Sequence, residues 1–509
     1  MLYVMKFGPM PSLKKMRLIT LSCLLLILCY AVYGGKHFKL GRSKGGNLGA
    51  PGGYKGEPLP PAQWFKQKLD HSSPSDLRTW KQRYFVNDSF YDFNNQGPVF
   101  LMIGGEGPAD ARWMVKGAWI DYAKKFKALC INLEHRYYGE SHPTEDISVK
   151  NLQYLSSYQA LADLANFINA MNDKYKLRSN VRWIAFGGSY PGSLAAWLRL
   201  KYPHLVYAAV SSSGPLLAKV NFMEYYEVVV DALREKTGGE DCVDVLKMAH
   251  KQITTLMQTN PSIVEKEFRV CKPFANASTN DIRNFYNSIA DDFADLVQYN
   301  EDNRISADVK YRNLTINTVC NMFLSPGAQP AYKKLAAFNS IILDKTNQTC
   351  LDYSYDNMIK ELRDMTWGSE GARQWMYQTC TEFGFYQTSS GEIEVFGNNF
   401  TLDFFIQQCE DIFGKKYNAD FVDAAAAWTN SNYGALDIAV SRVVFVHGSV
   451  DPWHALGITK TQDNDAPAIY IKGTAHCANM YPRSENDSSE LIEARLEIEQ
   501  YLAGWVGQP

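Results

Sequence analysis

The segment Arg182-Trp183-Ile184-Ala185-Phe186-Gly187-Gly188-Ser189-Tyr190-Pro191-Gly192 holds the residues best spaced for nucleophilic chemistry. Its apolar half reads as a strand, its glycine pair as a tight turn, and the stretch after Ser189 as the start of a helix. A serine on such an elbow sits at a strained turn at the carboxyl edge of a sheet, where glycines permit a backbone approach that a side chain would block. The next helix then directs amide N–H groups towards the oxygen of an attacked carbonyl. Pro191 and Gly192 depart from the common G-x-S-x-G spacing. Proline is tolerated there because a first helical turn loses no intrahelical N–H bond. A glycine-rich turn with an incidental serine is the alternative.

A serine nucleophile needs a base and a group to orient that base. On this kind of elbow the acid and then the histidine come after the serine in chain order, each in a loop just past a strand. Arg442 to Val446 reads as a strand and leads through His447-Gly448-Ser449-Val450 to Asp451, with Pro452-Trp453 directly after it. Ala468 to Ile471 is the next strand, and Lys472-Gly473-Thr474-Ala475 carry its loop to His476. His476 is therefore the expected general base and Asp451 the expected orienting acid. The amide of Tyr190 is the expected first oxyanion donor, with a second from Gly105 or Glu106 in the loop after an earlier strand. His447, inside a strand, and His454, after a Pro-Trp turn, read as structural; His71, His135 and His142 precede Ser189. Asp437 and Asp463 have weaker strand contexts, and Cys477, next to the base in sequence, is poorly placed to present a thiol to it.

The elements that would position these residues alternate. Lys81 to Val86, Pro98 to Ile103, Ala128 to Leu133, Val181 to Phe186 and Ala208 to Ser212 read as strands; Tyr158 to Met171 and Ser193 to Leu200 read as helices. Such alternation predicts an α/β fold with a mainly parallel sheet covered on both faces. It lapses between Lys219 and Asn432, which read as mostly helical, and resumes with the strands before Asp451 and His476 and a helix over Ser489 to Leu502. The expected organisation is a signal peptide (1–34), a flexible leader (35–62), the first part of an α/β-hydrolase domain (63–218), a helical cap (219–432) and the second part of the hydrolase domain (433–509).

Lys14, Lys15 and Arg17 precede an apolar run from Leu18 to Val32, closed by Gly34 and Gly35. That is the pattern of a secretory signal, and the run is shorter than the roughly 20 residues of a membrane span. A net charge of -2 gives no electrostatic reason to expect nucleic acid or an anionic membrane as partner. Of ten cysteines, Cys23 and Cys29 lie in the apolar run, and none of the ten forms a C-x-x-C pair, which disfavours zinc and thioredoxin-like chemistry. Six of the others, Cys242, Cys271, Cys320, Cys350, Cys380 and Cys409, crowd into the helical region as a disulfide framework would in an oxidising compartment. Sequons at Asn87, Asn276, Asn313, Asn347, Asn399 and Asn486 point to the same secretory route.

Taken with the elbow, several further motifs carry a family resemblance. They are Trp64-Phe65-Lys66-Gln67-Lys68-Leu69-Asp70-His71, Gln82-Arg83-Tyr84-Phe85, Gly104-Gly105-Glu106-Gly107, Glu134-His135-Arg136-Tyr137-Tyr138-Gly139, Asp451-Pro452-Trp453 and Gly473-Thr474-Ala475-His476. The chain resembles the prolyl-carboxypeptidase-type serine peptidases, which include dipeptidyl peptidase II and thymus-specific serine protease. That resemblance implies a hydrolase core with a disulfide-bearing helical cap, and hydrolysis of peptides near a terminus after proline or a small residue, without metal or cofactor. It implies the pairings Cys242–Cys320, Cys271–Cys350 and Cys380–Cys409, leaving Cys130 and Cys477 free. It also places Glu106 beside the site, as contact for a substrate amine or as part of a structural ion pair. Two branches carry a second histidine after the catalytic one; His476-Cys477-Ala478-Asn479-Met480 lacks it and is more similar to the thymus-specific branch. Terminal preference stays open, as do lysosomal against extracellular residence and assembly, a homodimer included. An esterase or lipase on the same fold, and an inactive binding protein, are the competing readings.

Overall fold

A computed structural model of the chain describes residues 48–235, 238–301, 314–368, 371–391 and 394–507. The segment read as a signal peptide and the sequon at Asn313 lie outside them. Eight strands form one sheet: β1 (Gln63–Lys68), β2 (Thr79–Asn87), β3 (Val99–Ile103), β4 (Leu129–Leu133), β5 (Trp183–Gly188), β6 (Ala208–Ser212), β9 (Val443–Gly448) and β10 (Ala468–Ile471). Their spatial order is β1-β2-β4-β3-β5-β6-β9-β10. β2 runs antiparallel to both neighbours, and every pairing from β4 to β10 is parallel. This is an α/β-hydrolase sheet, and its central parallel strands β3, β4, β5, β6 and β9 are buried throughout.

Alternation within the strands builds a core on each face. Val99, Leu101 and Ile103 of β3 join one cluster, while Phe100 and Met102 join the other, as the two-residue period of a strand requires. One face is covered by α1 (Ala118–Phe126) and the C-terminal helix α8 (Ser489–Val506), which contribute Trp119, Leu491, Ile498 and Leu502. The other face receives α2 (Ser157–Tyr175) and α3 (Tyr190–Lys201). α2 starts where the Ser156 hydroxyl accepts the Gln159 amide, and Lys176 ends it in a left-handed conformation. Leu161, Leu164, Ala165 and Ile168 all lie on its buried face. The sequence patterns expected for these elements are present; β1 and α1 were not foreseen.

Between β6 and β9 the chain leaves the sheet and forms a mainly helical insertion. It includes α4 (Thr279–Gln298), α5 (Ala372–Gln378), a π-helical turn (Thr379–Phe383), α6 (Leu402–Phe413) and α7 (Ala419–Tyr433). It also contains a small parallel pair, β7 (Lys219–Asn221) with β8 (Gly384–Tyr386), which the helical reading missed. Among the described residues the insertion has no separate core: its buried residues, such as Phe293, Phe338 and Phe404, belong to the same cluster as Leu101, Trp183 and Leu194 under the sheet. Cys242–Cys320, Cys271–Cys350 and Cys380–Cys409 are disulfides within the insertion, and Cys130 and Cys477 are buried free thiols. Asn276, Asn347 and Asn486 are exposed, whereas Asn87 is half-buried and donates its side-chain amide to the Met114 carbonyl.

The stretch expected to be a loose leader is packed onto the fold from Leu48 onward. Leu48 rests on the α1–α8 core, Pro51 and Gly52 are buried, the Tyr481 hydroxyl donates to the Gly49 carbonyl, and Lys116 pairs with Glu57 at 2.6 Å. Glycine and proline content signalled an irregular backbone, which this segment has, but not whether that backbone is bound. Among the described residues no helix is long and apolar enough to cross a membrane.

Cys380–Cys409 ties the π-helical turn to α6 across 29 residues of chain. Closing a loop of that length restricts the unfolded chain by about 3.6 kcal/mol. The double variant C380A/C409A should lose stability of that order in chemical denaturation, and an unchanged midpoint would show that packing alone holds the turn.

Candidate active site

The sheet order changes direction between β3 and β5, so connections leave these neighbouring strands on opposite sides and open a crevice at their carboxyl ends. The glycine loop comes directly after β3 and Ser189 directly after β5. Ser189 takes φ 65° and ψ -136°, a conformation that L-residues rarely adopt and that surrounding contacts must impose. Two glycines make the turn physically possible. A Cβ on Gly187 would fall 1.9 Å from the Pro191 carbonyl oxygen, and one on Gly192 would fall 2.6 Å from the Ser212 oxygen. The glycine loop presses on the same turn, since a Cβ on Gly105 would meet the Pro191 ring at 2.4 Å. Gly105, Glu106 and Tyr190 therefore border one place. Glu106 is buried and lines a recess with Asn132, Trp113 and Leu48.

Asp451 leaves β9 as the cap of a short 3-10 helix, Pro452–Leu456. Its Oδ1 accepts from the Trp453 amide at 3.1 Å and lies 2.8 Å from Nδ1 of His476. The loops after β9 and β10 are laced together: the Ser449 amide donates to Ile471 and the Val450 amide to Thr474, each at 3.0 Å. Gly448 permits this closeness, because a Cβ there would lie 2.3 Å from the Thr474 oxygen. With Nδ1 committed to the carboxylate, Nε2 of His476 makes no hydrogen bond among the described residues, so it is open as an acceptor. Ser189 and His476 are each 3% exposed and Asp451 is fully buried.

Burial alone would raise the Asp451 carboxylate; the His476 imidazole, with smaller contributions from His447 and Ser213, overrides it and holds Asp451 below its ordinary value. Burial likewise pushes the His476 imidazole down, and the Asp451 charge reverses this, holding it well above the ordinary histidine range. The two opposite shifts are what a buried acid–imidazolium pair requires.

What draws the elbow and the histidine loop together is the end of β6 and the residue after it. The Ser212 carbonyl accepts the Ser189 amide at 2.9 Å, and the Ser213 hydroxyl accepts the Cys477 amide at 2.9 Å. Asn479 donates its side-chain amide to the Ser212 hydroxyl at 2.8 Å. Gly188 faces Cys477 and Met480, whose sulfurs a Cβ would approach within 3.0 and 2.4 Å. Ser212 thus holds Ser189 itself and Ser213 the residue after His476, and neither was singled out from sequence; two serines at a strand end carry no distinctive pattern.

The insertion contributes as well. Gln298, at the end of α4, accepts the His476 amide on its backbone oxygen at 3.1 Å. Its side-chain oxygen accepts from Trp453 at 2.9 Å and from Tyr225 at 2.7 Å. Tyr299 sets its ring edge-on to His476 at 6.3 Å. The rival histidines lie elsewhere in role. His447 is buried in β9 against Gly457, and burial holds it down to about 4. His135, set aside by chain order, reaches the site indirectly through the Tyr190 hydroxyl at 3.1 Å.

The family model described as serine carboxypeptidase S28 matches residues 67–498. Thymus-specific serine protease of Mus musculus is 36% identical over 459 residues, 88% of each chain. Lysosomal Pro-X carboxypeptidase of Homo sapiens is 27% identical over 458 residues, 87% of this chain and 88% of its own. The Caenorhabditis elegans protein K12H4.7, a serine protease by assignment, is 38% identical over 459 residues, 87% of each chain. Among solved structures, a proline iminopeptidase of Mycobacterium smegmatis covers 87% of this chain and 98% of its own at 11% identity, with a TM-score of 0.34. A family match over most of the chain, joined to relatives of this identity and coverage, makes the protein a serine-type peptidase that belongs to the serine carboxypeptidase S28 family.

Proposed function

We propose that Ser189, Asp451 and His476 form the catalytic triad of an exopeptidase that cleaves near a peptide terminus, after proline or a small residue. The observation that carries the triad is the 2.8 Å bond between Asp451 and the Nδ1 of His476, which leaves Nε2 without a hydrogen bond among the described residues. His476 takes the Ser189 proton as Oγ attacks the scissile carbonyl, and the new C–O bond places negative charge on the carbonyl oxygen. The Tyr190 amide and an amide of Gly105 or Glu106 receive that oxygen. His476 then gives its proton to the leaving amine, and water releases the acyl-enzyme by the same steps. Glu106 is the candidate contact for a substrate amine. The names of the relatives support the peptide class and a terminal mode, and the signal-like run, disulfides and sequons support secretory or lysosomal residence.

Fluorophosphonate labelling tests the nucleophile. The wild type should be tagged on Ser189, and Ser189→Ala should abolish the tag while keeping its melting temperature; a wild type that stays unlabelled refutes the enzyme reading, and one that labels but cuts nothing in a terminal-proline peptide library favours the esterase. The base is tested by pH. Because Asp451 raises His476, and His476 must be neutral to act, the rise of kcat/KM with pH should sit above the ordinary histidine value. Asp451→Asn should move that rise to lower pH and cut kcat by about 10⁴-fold. A rise that does not move would assign the titration to another group.

A further inference from the structure

Tyr190 is buried, and its phenol is enclosed by polar groups from both sides of the junction between the elbow and the insertion. His135 presents Nδ1 to the Arg136 carbonyl at 2.7 Å and Nε2 to the Tyr190 hydroxyl at 3.1 Å. A carbonyl cannot donate, so Nδ1 carries the hydrogen, Nε2 accepts, and Tyr190 is the donor. The phenol oxygen in turn accepts from Nε2 of Gln378 at 3.2 Å. That same nitrogen lies 3.3 Å from the Glu382 carboxyl, while the Gln378 oxygen accepts from Tyr138 at 2.6 Å. The two hydrogens of one amide are thereby shared between Tyr190 and Glu382.

Glu382 closes the chain. It belongs to the π-helical turn and accepts the Ser157 amide at 2.9 Å and the Ser157 hydroxyl at 2.6 Å, at the first turn of α2. The Ser157 hydroxyl is shared with Tyr433 at 2.9 Å, and the Glu382 carbonyl accepts from Thr429 at 2.6 Å. Trp375 and Phe383 pack their rings on Tyr190 at 5.8 and 5.4 Å. Gln378 is fully buried and Glu382 nearly so. Buried polar chains of this kind are costly if any member is lost, because the remaining groups have no water to turn to. A core helix that only needed to pack on Tyr190 would do so with apolar side chains.

We propose that Gln378 and Glu382 are positioning residues of the insertion: by fixing the Tyr190 phenol they fix the Ser189–Tyr190 peptide, and so aim the amide that receives the oxyanion. This deepens the Ser189 reading and rests on it. The clamp joins the insertion, which also braces the His476 loop through Gln298, to the one donor that belongs to the nucleophile's own turn. A displacement of about 1 Å at such a donor costs around 10²-fold in rate.

The clamp also responds to pH. The groups facing Glu382 are Ser157 from α2, Tyr190 from α3, Gln378 and Tyr377 from α5 and Tyr433 from α7. None of these is a cation. Burial pushes its carboxyl up to about 7, against the opposing hydrogen bonds from Ser157 and Gln378. Neutral, the acid can donate to the Ser157 hydroxyl, which passes its own hydrogen to Tyr433. The folded chain holds this proton longer than the unfolded one, so its contribution to stability is complete below the ordinary carboxyl value and is lost as pH rises through about 7.

The test is saturable fluorophosphonate labelling of Ser189 in the full-length chain, whose phosphonyl oxygen would occupy the oxyanion position. Tyr190→Phe and Gln378→Leu should each lower the maximal labelling rate at least tenfold, leave the half-saturating concentration within threefold, and combine without adding. Glu382→Ala should do the same, and Glu382→Gln, which keeps both hydrogen-bond roles of the neutral acid, should restore the rate to within twofold. Melting temperature of the wild type should fall relative to that of Glu382→Gln between pH 5 and 8, the titration of His476 being common to both. Folded variants that label at the wild-type rate, or whose half-saturation changes instead, overturn the clamp. Should Gln378→Leu not fold, Tyr190→Phe decides, since it deletes one oxygen. An unlabelled wild type would instead bring down the Ser189 reading, and the clamp with it.

Discussion

Everything in the site depends on one residue being held where it does not rest naturally. Ser189 sits at φ 65° and ψ -136°, outside the wells that an L-residue fills by itself. The turn persists because its amide is bonded to Ser212, because glycines at 187 and 192 let the chain fold back on Pro191 and the next strand, and because α3 is buried against the sheet. Such strain, of order 1–3 kcal/mol, is carried only where the surroundings over-determine the backbone. The constraint sets Ser189 at the end of β5 with α3 beginning directly after it.

Asp451 and His476 come from the other half of the sheet, and what unites the halves is the end of β6 with Ser213. Ser212 bonds to Ser189 itself and Ser213 to the residue after His476. The insertion adds a third layer, with Gln298 on the histidine loop and Gln378 on Tyr190. The hydrolase sheet provides the frame, but the frame is braced from outside.

The sequence was legible where a local rule governs the chain. Strands of alternating or fully apolar residues, the capped helix over 157–175 and the glycine elbow all arise from period and turn chemistry. So did the order of Ser189, Asp451 and His476, each just past a strand. What escaped was long-range. β1 is an edge strand with Trp64 and Phe65 outside the clear alternation of the others, and α1 is short. Gln298, Gln378, Glu382 and Ser213 matter through Trp453, Tyr190, Ser157 and Cys477, partners 155 to 264 residues away, a distance over which spacing in sequence says nothing. His135 illustrates the limit: chain order sets it aside as a base, yet it donates and accepts at the back of the elbow.

The hydrophobic cluster beneath the insertion is continuous with the one beneath β3 and β5. The insertion is consequently not modular. Its apolar face packs into one interior with the sheet, α2 and α3, so a graft that exchanged this region between relatives to transplant specificity would have to carry across the matching half of that interior too.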